Sequence, residues 1–259
     1  MRLWTKRLAL AIILLALACV PAHAHSEKAA VNQVSTLDAL AQGYFDGMIR
    51  VSDIPKYGNF GIGTFDGLDG EMVVIDGKVY QVPVTGVVKL ADPKWTTPFM
   101  AVTFFKPDTK PKVQPASDMK TLTQALEASF PSKNFFYAIR IDGTFQQVKT
   151  RSVAKQSRPY PTLAEAAKKQ AVFELKDVEG SALGFWCPAY VKGINLPGYH
   201  LHFISKDRKA GGHILDFTTK NVMVKVEQIN GFSMLLPDTP AFGRLDFTGD
   251  RSAEIKKVE

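Results

Sequence analysis

The strongest constraint on the fold lies after Gly180, where strand-like runs follow one another and leave little room for helices. The runs are Leu183 to Val191, Tyr199 to Ile204, His213 to Phe217, Val222 to Ile229 and Phe232 to Leu236. They are rich in β-branched and aromatic residues and are broken by Gly, Pro, Asn and Lys, which is how strands and their turns are written. Upstream the pattern is mixed. Leu37, Leu40, Ala41, Tyr44 and Met48 recur at helical spacing, which predicts a helix over Ser35 to Met48 with Ser35 as its cap. Met72 to Ile75, Asp76-Gly77 and Val79 to Val82 predict a hairpin with a primed turn. Lys106 to Pro115 reads as an exposed loop. A helix carrying Leu122, Ala125, Leu126 and Phe130 follows, ended by Pro131, and then a strand over Phe135 to Ile141. Thr162 with Glu165 forms a capping box for a helix running towards Leu175. Helices among many strands, the late strands contiguous, predict an α+β (mixed α/β) fold. Two sheet-containing lobes are expected, the C-terminal one largely antiparallel.

Composition narrows the class. Of 259 residues, 46% are hydrophobic and 22% charged, too apolar for disorder and too charged for a membrane bundle. The net charge of +7 owes three cations to the first residues, Arg2, Lys6 and Arg7. These precede an apolar run from Leu8 to Val20 and a small-x-small site at Ala22-His23-Ala24, the layout of a secretory signal. That run is shorter than the ~20 residues a spanning helix needs. The expectation is a signal peptide over residues 1–24, cleaved before His25, and an exported periplasmic or secreted protein with no membrane attachment afterwards. A lipoprotein anchored at Cys19 is the alternative, on a loose lipobox match. The mature domain, 25–259, divides on this reading into lobes 25–160 and 161–259. Its remaining charge of +4 lacks the clustered basic face that nucleic-acid binding requires. Cleavage would leave Cys187 as the sole cysteine, in the apolar setting Gly184-Phe185-Trp186-Cys187-Pro188, which suits a buried hydrophobe rather than a reactive thiol.

The histidines are unevenly placed. Apart from His23 and His25, all of them fall in one short segment: His200, His202 and His213. On a strand, His200 and His202 project from one face while Leu201 points to the other. The loop from Ser205 to Gly212 lets His213 fold back beside them. A lone His-x-His is more often surface decoration or a hydrogen-bonded pair. Three together, with none elsewhere in the body, point to a metal site. Three protein ligands and an open position are the pattern of catalytic zinc, whereas a closed structural site would need a fourth ligand such as Cys187. Imidazole-rich sites also suit iron, nickel or copper.

A second segment, Tyr57 to Met72, is rich in glycine and acids. Its Gly61-x-Gly63 is not followed by a helical pattern, so a dinucleotide fold is excluded. No P-loop ending is present. Glu71 is a carboxylate following tight turns, available as a general acid or base, or simply solvated. The run Gly61-x-Gly63-Thr64-Phe65-x-x-Leu68-Asp69-Gly70-Glu71-Met72, followed by Asp76-Gly77-x-x-Tyr80-Gln81, resembles the acetolactate decarboxylase family. So does Gly198-Tyr199-His200-Leu201-His202-Phe203-Ile204-Ser205, followed by Arg208, Gly211-Gly212-His213 and Leu215-Asp216. The resemblance extends from about Thr36 to the C-terminus.

The resemblance implies a two-lobed fold with a sheet in each lobe, usually a homodimer, acting on 2-acetolactate and similar 2-hydroxy-3-oxo acids. It implies Zn2+ on His200, His202 and His213, with Glu71 and Thr64 in the catalytic motif. It assigns the substrate-facing arginine to Arg151, with Arg140 as the alternative, and a second glutamate to Glu259, with Glu254 as its fallback. The implied reaction releases carbon dioxide and leaves an enediolate, with zinc on the ketone and hydroxyl oxygens and a glutamate returning a proton to give acetoin. Two rival functions stay open at this point: an exported zinc hydrolase using Glu71, and a non-enzymatic exported metal-binding protein.

Overall fold

A computed structural model describes residues 29–114 and 116–258. The expected signal peptide, its Cys19 alternative and Glu259 lie outside the described residues. Strands β1 to β8 are Ala30–Val34, Ile49–Arg50, Phe60–Thr64, Glu71–Ile75, Lys78–Val82, Lys89–Leu90, Thr96–Thr97 and Met100–Thr103. Strands β9 to β13 are Phe136–Ser152, Ala171–Cys187, Gly198–Ser205, Gly211–Ile229 and Gly231–Leu235. Helices α1 to α5 are Leu37–Ala41, Met119–Ser129, Leu163–Ala167, Pro240–Gly243 and Ser252–Ile255. The result is a mixed, sheet-dominated fold. No helix among the described residues is long and apolar enough to cross a membrane.

Two sheets carry the structure. One has seven strands in the order β13-β1-β8-β3-β4-β5-β6, and the other closes on itself as β10-β11-β12-β9. All four pairings of the closed sheet are antiparallel. The sheets do not divide at residue 160. Strand β9, expected in the first lobe, belongs to the closed sheet, and β13 returns to the first sheet as a parallel neighbour of β1. The reason is that β9 and β10 pair along almost their whole lengths, from Ser152 opposite Ala171 to Tyr137 opposite Trp186. The short α3 is therefore the link of an extended hairpin rather than the start of a new lobe.

Strand alternation decides which side chains meet between the sheets. On β4, Val73 and Ile75 enter the same apolar cluster as Leu183, Phe185 and Ile204 of the closed sheet. Met72 and Val74 turn to the opposite face, against Val34, Ile54 and Met100. Inside the closed sheet, Ile141, Phe145, Leu201, Phe203 and Phe217 pack together and α2 covers them with Leu122 and Leu126. A further cluster joins α1, α3 and the C-terminal tail through Leu37, Leu40, Leu163, Ile255 and Val258.

Several local expectations hold. The hairpin β4–β5 turns at Asp76 and Gly77, with φ of 52° and 75°, as a primed turn requires. Helix α2 is capped by Asp118 and stops before Pro131. Two helices are shorter than expected. The first begins at Leu37, capped by Thr36, whose Oγ1 accepts the Ala39 N–H at 3.1 Å; Ser35 instead sits in the turn with φ 61°. It ends at Ala41, with Gln42 as its C-cap before Gly43 with φ 87°. The helix capped by Thr162 stops at Ala167, and Ala171 already begins β10. The runs His213 to Phe217 and Val222 to Ile229 are one strand, β12, bent by register shifts between Ile214 and Asn221.

Candidate active site

The site forms where β3 and β4 of the seven-stranded sheet face β9, β11 and β12 of the closed one. Register places the residues. His202 lies opposite His213, and His213 lies opposite Arg151, so three adjacent strands present one row of polar side chains. His200 stands two residues before His202 on the same face. Leu201 enters the core of the closed sheet, as the alternation predicts. Gly212, with φ 133°, lets β12 approach β9 closely; a Cβ there would lie 2.6 Å from the Arg151 carbonyl oxygen. On the other side, Gly70 with φ 77° ends the turn before Glu71, and a Cβ there would lie 2.3 Å from the Val82 carbonyl oxygen. Thr64 lies opposite Glu71 and donates its hydroxyl to the Gly70 carbonyl at 2.7 Å, fixing that turn from beneath.

The three imidazoles are buried, and one nitrogen from each lies within 4.8 Å of the others. Ring centroids are 5.1–5.4 Å apart. Burial disfavours the imidazolium, so the His200 ring is pushed down to about 3, and those of His202 and His213 well below their ordinary value. All three are neutral at pH 7. The tautomer of His202 follows from its partner: the Met72 carbonyl can only accept, so Nδ1–H donates to it at 2.8 Å. Nε2 then carries a lone pair and has no hydrogen-bond partner, and 3.5 Å away it faces a carboxylate oxygen, Glu71 Oε2. Two buried acceptors facing each other are unfavourable unless a cation lies near both. Neutral, convergent imidazoles with a second-sphere carbonyl behind one of them fit a zinc-type metal ion. Cys187 is not a fourth ligand: it packs in the apolar cluster between the sheets, and burial pushes its thiol up to about 12.

Arg151 is the other centre of charge. Its guanidinium donates from Nη1 to Glu71 Oε1 and from Nη2 to the Val258 carbonyl, both at 2.8 Å. The side chains of this pair are 5% and 9% exposed. Removing one partner of so buried a pair costs about 3–5 kcal/mol. The alternative, Arg140, is elsewhere: it pairs with Asp142 and Asp76 at the β4–β5 turn. Glu254 is half-exposed on α5 and faces Arg251 at 3.7 Å, so it does not reach the site. Glu71, Thr64, Arg151, His200 and His202 line one narrow pocket, whose other wall is apolar: Leu37, Leu40, Leu68, Phe99 and Leu163. His213 completes the metal group from the side of β12.

Sequence reasoning missed three parts of this arrangement. The Met72 and Val258 carbonyls are backbone atoms, which residue type does not advertise. The apolar wall drew no notice because leucines at helical spacing look like core. The tail was better marked: Ile255 and Val258, three apart, pack against the body as their spacing suggests.

Known proteins resemble this chain over most of its length. The family described as alpha-acetolactate decarboxylase matches residues 31–249. The chain is 42% identical to an alpha-acetolactate decarboxylase of Methanosarcina mazei over 240 residues, covering 93% of this chain and 83% of that protein. It is 41% identical to the Bacillus subtilis protein of that name over 212 residues, covering 82% and 83%. The fold is similar to the crystal structure of alpha-acetolactate decarboxylase from Bacillus subtilis strain 168. The TM-score is 0.86 at 39% identity, over 88% of this chain and 98% of that one. Over most of its length, then, the chain belongs to the alpha-acetolactate decarboxylase family, and it is a decarboxylase.

Proposed function

We propose that the protein decarboxylates 2-acetolactate to acetoin and carbon dioxide, with zinc held by His200, His202 and His213. The observation carrying the reading is the placement of Glu71, whose carboxylate touches Arg151 on one side and faces His202 on the other in the pocket between the sheets. When bound, zinc supplies a Lewis acid for negative charge developing on the substrate's ketone and hydroxyl oxygens. Arg151 offers a planar fork for the substrate carboxylate, which competes with Glu71 and the Val258 carbonyl for the same N–H groups. That competition limits how tightly the ground state is held, so binding energy is not spent before carbon dioxide leaves. The apolar wall excludes water and keeps the enediolate from random protonation. The reaction consumes one proton. Glu71, once the incoming substrate carboxylate has taken its place on Arg151 and it has picked up a proton from solvent, is placed to pass that proton to one face of the enediolate.

The direct test is release of acetoin and carbon dioxide from 2-acetolactate by the purified protein. Turnover should be stoichiometric, lost on chelation and restored by zinc. Ester hydrolysis without carbon dioxide release, or metal binding without turnover, would refute the reading.

Arg151→Lys should behave as a severe change, because lysine keeps the charge but loses the two-point fork. We expect kcat/KM to fall at least ~10-fold, about 1.4 kcal/mol of transition-state stabilisation, at unchanged metal content. Arg140→Lys should leave kcat/KM near wild type. The reverse ranking would place the substrate carboxylate at Arg140.

A further inference from the structure

We propose that Gln81 is a positioning residue, which from behind the active site sets the aim of the Glu71 carboxylate and so the face on which the product is protonated. This inference rests on the decarboxylase reading above and deepens it to the stereochemistry of the proton step. The segment before Glu71 has an unusual backbone: Gly67, Leu68 and Gly70 have φ of 73°, 58° and 77°. Left-handed conformations are uncommon for leucine, so local preference does not hold this turn. Its last two carbonyls are held by side chains instead. Thr64 on β3 donates Oγ1–H to the Gly70 carbonyl at 2.7 Å, and Gln81 on β5 donates Nε2–H to the Asp69 carbonyl at 2.6 Å. Strand β4 runs between these two neighbours, so one fastener reaches the turn from each side.

The two fasteners differ in what else they can do. Thr64 lines the pocket and can touch a substrate. Gln81 lies opposite Met72, and alternation along β4 sets Met72 and Glu71 on opposite faces. The Gln81 side chain is fully buried on the face away from the pocket and lines none of it. The Asp69 carbonyl only accepts, so the amide nitrogen is the atom that must face it. Anything Gln81 does for the reaction therefore passes through the turn into Glu71, the residue after Gly70. The carboxylate has little room to err: Oε1 meets Arg151 at 2.8 Å while Oε2 faces His202 at 3.5 Å. Methionine at this position keeps the length of the side chain and removes the donor. Glu71 then keeps its chemistry and loses its aim.

The experiment measures kcat, KM and the enantiomeric excess of acetoin for wild type, Q81M, E71Q and the double variant. Metal content and thermal melting are read on each preparation. Q81M should lose at least ~10-fold in kcat, a misplacement of about 1 Å being worth up to ~100-fold. KM should change little, because Gln81 touches no substrate. The enantiomeric excess should fall between those of wild type and E71Q, at unchanged metal content. In the double variant the loss in kcat should be no greater than in E71Q alone, since Gln81 acts only through Glu71. Melting gives the same cycle without turnover: Q81M should lower the melting temperature less in the E71Q background than in wild type. Q81N, whose amide is one carbon short of the Asp69 carbonyl, takes the place of Q81M if that variant does not fold. Wild-type kcat and enantiomeric excess in Q81M, losses that only track metal content, or additive losses in the double variant would overturn the role of Gln81. Failure of wild type to decarboxylate 2-acetolactate would instead sink the decarboxylase reading, and the melting cycle would still decide whether Gln81 holds Glu71.

Discussion

His202→Ala should abolish metal retention and decarboxylation together, the largest effect expected from any single change in this protein. His202 stands at one end of the row, opposite His213, with His200 beside it on the same strand. It is also the histidine whose orientation is fixed from behind, by the Met72 carbonyl. Alanine leaves two imidazoles, and even loss of outer-sphere support typically weakens metal binding 10–100-fold. We therefore expect metal affinity to drop by at least ~100-fold, about 2.7 kcal/mol, and turnover to fall to background. The fold should survive at lower stability, because the Met72 carbonyl loses its donor in a buried place at a cost of about 1–3 kcal/mol. Metal content by mass spectrometry, thermal melting and acetoin release on one preparation separate these effects. A His202→Ala protein that turns over normally without stoichiometric metal would remove zinc from the proposed mechanism.

What the sequence disclosed follows from how local each feature is. The histidine group was legible because its chemistry is concentrated in one strand and the start of the next, where strand alternation alone sets the faces. Turn chemistry was equally local: the Asp76-Gly77 turn and the stop of α2 before Pro131 are written in adjacent residues. Glu71 and Arg151 are different. They are 80 positions apart and meet only because two sheets face each other. Composition and spacing left Glu71 a solvated carboxylate, and only the family resemblance singled the two out. Helix lengths failed where tertiary pairing overrode propensity. Beyond Ala171 the chain is claimed by its register with β9, Val172 lying opposite Arg151. The parallel pair of β1 and β13, joining Ala30 to Gly231, had no local signal at all.

Glu71→Gln and Glu259→Gln should both impair turnover, but only one of them should alter the handedness of the product. Glutamine at 71 keeps an oxygen for the Arg151 Nη1–H and cannot donate an acidic proton. Weakening this charged hydrogen bond costs about 1.5–3 kcal/mol of stability, so the melting temperature should fall while the metal stays bound. Loss of a positioned general acid is worth ~10²–10⁴ in rate and should appear in kcat rather than in KM. In sequence Glu259 follows Val258, whose carbonyl accepts from Arg151. We expect E259Q to lose at least ~10-fold in turnover with fold and metal retained, through a weaker catalytic arrangement rather than a missing proton. The product distinguishes the two. An enediolate without its protein acid takes a proton from water on either face, so E71Q should release racemic acetoin. E259Q should keep the enantiomeric excess of wild type. If E259Q gives racemic product and E71Q does not, the proton comes from Glu259, and Glu71 acts only to hold Arg151 in place.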